Sequence, residues 1–398
     1  LEPGPERAVA HLWTGRVLMA QARYRTAAAS FSDGLADTAV DDEPLRTQLA
    51  AAYALAARLG HAEPPDGLPE ISGRGGAGTP QERLALAHAA FDGALAGTPA
   101  AEVRRLALQG LGPGVLVEEE RVDGLGPMLA AAALTLAGDL QAGEALLTAA
   151  IELGRERGSA SGLTLAYGLR AKAILRRGRL GDAIADIQAA RSAHREAWRQ
   201  TPFPTQAIAT LVHIEHGAIE PAAEQVEHWE RSADPTTGMP YMAFLMTRGR
   251  LNRARGAPKE AFADFLDCGR RAAAQGIFNP AVFQWRSQAA LAALQLGHRE
   301  DAVALAEKEL ELARSFGAPE TIGQALHVRG TVEGGAQGLL LYRDAVATLE
   351  SSQAVLALAR ALVDYGAALR KVSRRQAARE PLRRGLDLAR RCQAEVLV

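Results

Sequence analysis

Small residues recur along this 398-residue chain at a nearly fixed interval, each just after the same kind of turn. Gly143, Ala183, Ala222, Ala261 and Ala302 are 40, 39, 39 and 41 residues apart, and Ala378 lies 76 residues beyond Ala302, room for two more units. The turns leading into them read GDLQAG, GRLGDA, GAIEPA, GAPKEA, GHREDA and SRRQAA. ARYRTA leads into Ala27, and the 116 residues from Ala27 to Gly143 hold three periods. A fixed period of this size marks a stack of helical pairs, none of which can bury its apolar face without neighbours. About nine or ten such units fit.

The stretch from Leu358 to Arg391 shows what one unit contains. It reads as two amphipathic helices joined by a tight polar turn, with small residues at Gly366, Ala378 and Gly385 and larger ones at Leu362, Leu369, Leu382 and Leu386. That spacing lets two antiparallel helices approach closely, bulky side chains filling the gaps between small ones. The unit is tetratricopeptide-like. The expected fold is therefore all-α, a right-handed α-solenoid of tetratricopeptide-like helix pairs with a period of about 40 residues.

Composition agrees. Ala, Leu and Arg, all strong helix formers, dominate, while aromatics supply only 5% of residues, so the core has to be built from closely spaced helices. A net charge of −1 argues against attraction of the whole chain to nucleic acid or an anionic membrane. Cys268 and Cys392 form no disulfide framework or metal pattern, which suits a reducing compartment. The apolar run around Met128–Ala137 is too short to span a bilayer and no signal peptide is evident, so a cytoplasmic location is expected. LEPGPERA reads as a proline-bearing helix start, making Ala8–Ala20 the first helix, and ARRCQAEVLV runs out still helical. Both ends read as cut from something longer.

Prolines and glycines crowd residues 60–80 and exclude a helix there. The chain thus divides into N-terminal repeats (1–59), a flexible insertion (60–80) and the continuing array (81–398). Gly73, Gly75 and Gly78 match G-x-G-x-x-G, but no strand precedes them and no lysine follows, so nucleotide binding is not expected. Gly110–Pro127, which carries Glu118–Glu120, is a second break. His213 and His216 share a helix face, with His228 on the partner helix, but H-e-x-x-H chemistry is absent and a solvated face is the simpler account. Cys268 occupies the slot that Gly385 fills in the last unit and is a packing residue. No catalytic couple or cofactor is expected, and the chain reads as a non-enzyme.

From Arg360 to Arg391, ten Lys or Arg stand against Asp364, Glu380 and Asp387. Basic residues near helix C-termini are ordinary dipole partners; a surface near DNA or an acidic partner is the alternative. On the first helices of the middle units, polar and aromatic groups gather: Tyr167, Arg170 and Lys172; Tyr241, Arg248 and Arg250; Gln284, Trp285 and Gln288. First helices of a paired-helix array face inward, so these groups are the expected effector or partner groove. Trp285 also lies on an apolar stripe with Ala289, Ala292 and Leu296, the mark of core. Asn279–Pro280 reads as a helix start, Asn capping before proline.

The segment ALVDYGAALRKVSRRQAAREPLRRGLDLARRCQA resembles the region just before the DNA-binding domain in large ATP-binding regulators of the LuxR family. NPAVFQWRSQAALAALQLGHREDAVALAEKELELARSFGAP, RGRLNRARGAPKEAFADF and the opening LEPGPERAVAHLWTGRVLMAQARYRTAAASF resemble the same family's repeats. The resemblance spans essentially the whole chain and is most specific over 279–319 and 361–394. It implies a parent with an N-terminal P-loop ATPase and a C-terminal helix-turn-helix, partners this sequence does not itself contain, and control of a metabolic gene cluster. ATP and DNA binding are implied for that parent and not for these residues. The expected role is a sensor and coupling module that takes an effector ligand or protein partner on its concave face, without specific DNA or membrane binding. A pure interaction or oligomerisation scaffold, including self-association, is the alternative.

Overall fold

The protein is described by a computed structural model that covers residues 4–39, 42–62, 77–112, 117–118, 124–197 and 203–398, with only the backbone of 194–197. Nineteen α-helices order the described residues, and no strand occurs among them. The first pair is α1 (Pro5–Ala20) and α2 (Tyr24–Asp37), followed by α3 (Glu43–Gly60), α4 (Pro80–Ala96) and α5 (Ala100–Leu111). Seven regular pairs follow: α6 (Leu125–Leu136) with α7 (Leu140–Arg157), α8 (Ala160–Arg176) with α9 (Leu180–Ala197), and α10 (Phe203–Glu215) with α11 (Ile219–Glu230). Next come α12 (Met239–Ala254) with α13 (Pro258–Ala274), and α14 (Trp285–Gln295) with α15 (Arg299–Phe316). The last two are α16 (Pro319–Glu333) with α17 (Gly335–Glu350), and α18 (Val355–Lys371) with α19 (Arg375–Cys392). Between the α1–α2 and α6–α7 pairs the period allots two units, yet among the described residues α3, α4 and α5 are the helices given there. The second helix of the α3 unit would fall near residue 66, in the proline- and glycine-rich stretch, whose residues 63–76 lie outside the described residues. So do Gly73 and Gly75 of the glycine motif, and residues 113–116 and 119–123 of the second break.

The turn that starts each period explains its regularity. Gly138, Gly178, Gly217, Gly256 and Gly297 all adopt left-handed φ values, between +71° and +88°. Beyond each, an amide reaches back over the helix end: Asp139 N–H donates to Leu134 O (3.0 Å), Arg179 to Ile174 (3.1 Å) and Ala257 to Asn252 (2.8 Å). This closes the exposed carbonyls of the first helix and aims the chain into the second. Glycine is suited to the left-handed position because it has no Cβ to clash with the following carbonyl. At two units the position is not glycine: Ala22 (φ 58°) and Ser373 (φ 63°) bear the strain instead.

The recurring small residues are buried as the helices cross. Ala27, Ala183, Ala222, Ala261 and Ala302 are all 0% exposed. Glycines elsewhere in the helices seat a large side chain sixteen residues on. A Cβ on Gly15 would lie 2.3 Å from the Phe31 ring, one on Gly249 2.5 Å from Phe265, and one on Gly366 2.5 Å from Leu382. Phe31 and Phe265 are consequently fully buried, each worth about 2–3 kcal/mol of apolar burial. Cys268 is wholly buried too, its thiol pushed well above the ordinary range by burial.

The pairs stack into a right-handed superhelix tight enough for successive turns to touch. Gly238 N–H donates to Leu59 O (2.8 Å) and Arg25 to Thr236 O (2.9 Å), linking α12 to the α2–α3 region. Gln353 accepts from the amide of Gln141 (2.7 Å), and a Cβ on Gly178 would meet the Cys392 sulfur at 2.4 Å. Two local expectations are corrected here. Asn279 does not cap a helix: α14 begins only at Trp285. Asn279 instead forms a turn with the amide of Ala281 (2.9 Å) and donates across to Ala94 O (2.6 Å) on α4, and it is 2% exposed. The last α-helix does not run to the end of the chain either: it stops at Cys392, and a short 3-10 helix covers Glu395–Leu397. Gln393 turns left-handed (φ 60°), and Ala394 packs with Leu175, Leu180 and Ile208 in a core shared by distant units. Among the described residues no helix is long and apolar enough to cross a membrane.

Candidate functional site

First helices line the inside of the superhelix, and their charged side chains meet across it. Arg176, at the end of α8, donates through Nε and Nη2 to both oxygens of Glu320 on α16 (2.8 and 2.6 Å) and through Nη1 to Thr135 O (2.7 Å). The pair is well shielded, with 17% of the arginine side chain and 4% of the glutamate exposed. Arg360 on α18 donates to Glu215 on α10 (2.5 Å). His327 on α16 meets Asp364 on α18 at 2.7 Å; that hydrogen bond holds the Asp364 carboxyl below the usual range despite the opposing effect of burial. These contacts join helices that are 144 and 145 residues apart in the first two cases.

A polar belt continues from the first of them. Arg250 on α12 donates to Gln284 Oε1 (3.3 Å), Gln284 donates to Gln324 Oε1, and Gln324 donates to Glu320 Oε1 (3.2 Å). Lys172, about one helical turn before Arg176 on α8, faces the same space, under the influence of Arg176, Glu320 and Arg250. Burial first, then the neighbouring Arg176, lowers its ammonium to about 8. Burial likewise lowers Arg250 to about 10; Glu215 opposes this, and Arg253 and Arg360 add repulsion. Desolvation disfavours the charged form of any such group unless an anion compensates. Lys172 and Arg250 keep some solvent contact while protein surrounds them.

The nine groove candidates therefore separate. Lys172, Arg250 and Gln284 come together on the inner face; Gln288 is near-buried, with its Oε1 sealed from solvent and without a donor. Arg170 and Arg248 turn the other way, toward the second helix of their own units. Arg170 forms a bidentate pair with Asp186 (2.8 and 2.7 Å) and Arg248 one with Asp264 (3.1 and 2.7 Å), sixteen residues on in both units. Arg248 also donates to Glu230 (2.6 Å). Tyr167 is 5% exposed, its hydroxyl accepting from Arg155 (3.0 Å) and its ring beneath Arg155 and Arg170. Tyr241 packs on Phe244 and under Arg271. Trp285 covers Gly269 of α13, whose Cβ would lie 2.6 Å from the indole, and carries the Arg286 guanidinium 4.2 Å above its ring. It borders an open depression of ≈ 710 Å³ with Ala263 and Leu266.

Sequence reasoning passed over Arg176, Glu215, Arg253, Glu320, Gln324, His327 and, as inward-facing groups, Arg360 and Asp364. A signal was there: Lys172 and Arg250 are 78 residues apart, two periods, and so are Arg170 and Arg248. Two residues along a helix are about 200° around it, so the two columns necessarily face opposite sides. The remainder of the basic run behaves as surface. Arg384 pairs with Glu350 and Glu380, and Arg383 and Arg390 with Asp387. No cluster of three His, Cys, Asp or Glu able to hold a metal occurs among the described residues; His228 instead meets Arg231 at 3.1 Å.

No protein-family profile matches the chain, and no curated protein matches it significantly in sequence. Solved structures do. A Rap protein complexed with competence and sporulation factor is 13% identical, covers 98% of this chain and 99% of its own, and superposes with a TM-score of 0.58. The Rap conjugation gene regulator of plasmid pLS20, in complex with the Phr* peptide, is 12% identical over 98% and 97% of the two chains, with a TM-score of 0.51. The Cut9–Hcn1 hetero-tetramer of the APC/C gives 13% identity, 98% and 75% coverage and the same TM-score, 0.51. At this identity the likeness is one of fold: the chain has the architecture of a tetratricopeptide-like α-solenoid.

Proposed function

We propose that this chain is the sensing and coupling segment of a transcriptional regulator, taking an effector on the inner face of its superhelix. The observation that carries the proposal is the pair of contacts Arg176–Glu320 and Arg360–Glu215, made across the inside between units far apart in sequence. A molecule bound among these side chains interacts differently with wider and tighter superhelices, and a ligand shifts such an equilibrium by that difference in affinity. Two of the structural neighbours support the idea by analogy, since each was solved with a peptide or factor bound and one is a gene regulator. The resemblance of 279–319 and 361–394 to LuxR-family regulators suggests the context: the superhelix relays between an ATPase and a DNA-binding domain of the parent, without binding specific DNA itself. No catalytic step enters this role.

The test is a thermal-shift screen of the chain against metabolites and short peptides, followed by small-angle scattering of each hit. Binding to the native state raises apparent stability, so an effector is expected to raise the melting temperature and change the radius of gyration. A library that moves neither would overturn the proposal in favour of a scaffold. That second reading has one observation behind it: Val9, Trp13 and Val17 form an exposed apolar row on α1 at four-residue spacing, 41%, 51% and 45% exposed. Such a row suits a protein partner.

A further inference from the structure

The inner face holds more positive than negative charge, and the excess is concentrated. All three carboxylates in its centre are engaged: Glu320 by Arg176, Glu215 by Arg360 and Asp364 by His327. Lys172, Arg250 and Arg253 form no ion pair among the described residues, although Glu320 attracts the lysine and Glu215 both arginines from further off. Among the described residues Arg250 makes one hydrogen bond, the 3.3 Å bond to the neutral Gln284. The Nε–H groups of Arg250 and Arg253 are both sealed from solvent, with no acceptor among the described residues. A buried donor without a partner is destabilising, and more so on a charged group. Three such cations, drawn from α8 and α12, also repel one another in a space where protein rather than water surrounds them.

The geometry points to an anion site: Lys172, Arg250 and Arg253 hold the carboxylate or phosphate group of a small effector at the centre of the superhelix. The inference rests on the effector reading above and names the ligand's chemistry. An oxyanion there pairs with the lysine ammonium and with the guanidinium ends of Arg250 and Arg253, as such groups do with carboxylates and phosphates elsewhere. The crossing pairs Arg176–Glu320 and Arg360–Glu215 bound the space, which favours a small acid over an extended chain. Gln284 and Gln324, linked to Arg250 and Glu320, carry the disturbance into α16.

The test uses the whole chain with inorganic phosphate, succinate, glucose and sodium chloride at matched ionic strength, read by melting temperature and calorimetry. Phosphate or succinate is expected to stabilise the protein saturably, with Kd about 1 mM or tighter, while chloride and glucose do not; which anion binds tighter separates a phosphate from a carboxylate effector. In Lys172→Met/Arg253→Met the ligand-free melting temperature should rise as repulsion is relieved, and the anion response should weaken by at least about tenfold. Lys172→Gln serves as the milder variant should the double substitution misfold. A wild-type response no larger than that to chloride, or a response unchanged in a folded variant, overturns the site. A neutral metabolite or a peptide that shifts wild type and Lys172→Gln alike sinks the anion assignment and leaves the effector reading standing. Saturable anion binding without any change in scattering does the reverse.

Discussion

Replacing Arg176 by alanine tests the connection across the superhelix most directly. The arginine supplies both strong donors to Glu320, a side chain only 4% exposed, and a third bond to Thr135 O at 2.7 Å. Without it the carboxylate keeps, among the described residues, the bond from Gln324 at 3.2 Å. Removing one partner of a buried ion pair costs about 3–5 kcal/mol, because the other charge stays behind uncompensated. Losing the Thr135 bond adds about 1 kcal/mol. Replacing both charged residues, Arg176→Met with Glu320→Leu, should recover most of the loss, since apolar pairs of similar volume are often neutral substitutes for buried ion pairs. A double-mutant cycle from urea denaturation should therefore show a coupling of about 2–4 kcal/mol. Repeat arrays need not unfold in one step, so hydrogen exchange in α8 and α16 should accompany it, with protection falling in both helices together. Costs that simply add, or exchange changes confined to α8, would refute the claim that this pair joins the two turns.

Other expectations follow from the same geometry. Burial raises the Glu309 carboxyl to about 7 from its ordinary 4.5; the folded state thus keeps a proton that the unfolded state has lost, and stability should fall by up to about 3 kcal/mol as pH rises from 4.5 to 7. Glu309→Gln should flatten that slope and stabilise the protein at pH 8, measured by urea midpoints; an unchanged slope would show the group is not the cause. Gly249→Ala should cost about 1–3 kcal/mol by overpacking against Phe265, recovered in part by Phe265→Leu in the thermal melt. Ala22→Gly and Ser373→Gly, at left-handed turns, should each stabilise by about 1 kcal/mol; a loss at either position would mean the side chain earns more by packing than it loses by strain.

Period, turn and helix pairing were legible because each is decided within one unit: Gly256 needs only its own helix end, and Ala183 only the helix opposite. The superhelix was not. Its pitch is the sum of small rotations between neighbours, so nothing in the local pattern announces that Arg176 will meet Glu320 or that Asn279 will reach α4. The candidate site divides along the same line. Lys172, Arg250 and Gln284 could be found from the inward facing of first helices, but Arg170 and Arg248 stand on those helices too. Their partners, Asp186 and Asp264, lie sixteen residues away in a column that composition alone does not single out. Arg253 was hidden by its ordinariness, one more arginine in the RGRLNRAR run.

The touching turns bear on how the chain reaches its native state. An array with contacts only between adjacent repeats can nucleate anywhere and grow outward, each unit closing a short loop. Here α2–α3 must find α12, and the last helix must find Gly178, across 211 and 214 residues of intervening chain. Loop closure must precede the gain from such contacts, which slows folding as contact order rises. The units should therefore assemble quickly as an open spring and close slowly. Double-jump refolding should resolve the two phases, and Arg176→Ala should leave the fast one unchanged while further retarding or abolishing the slow one.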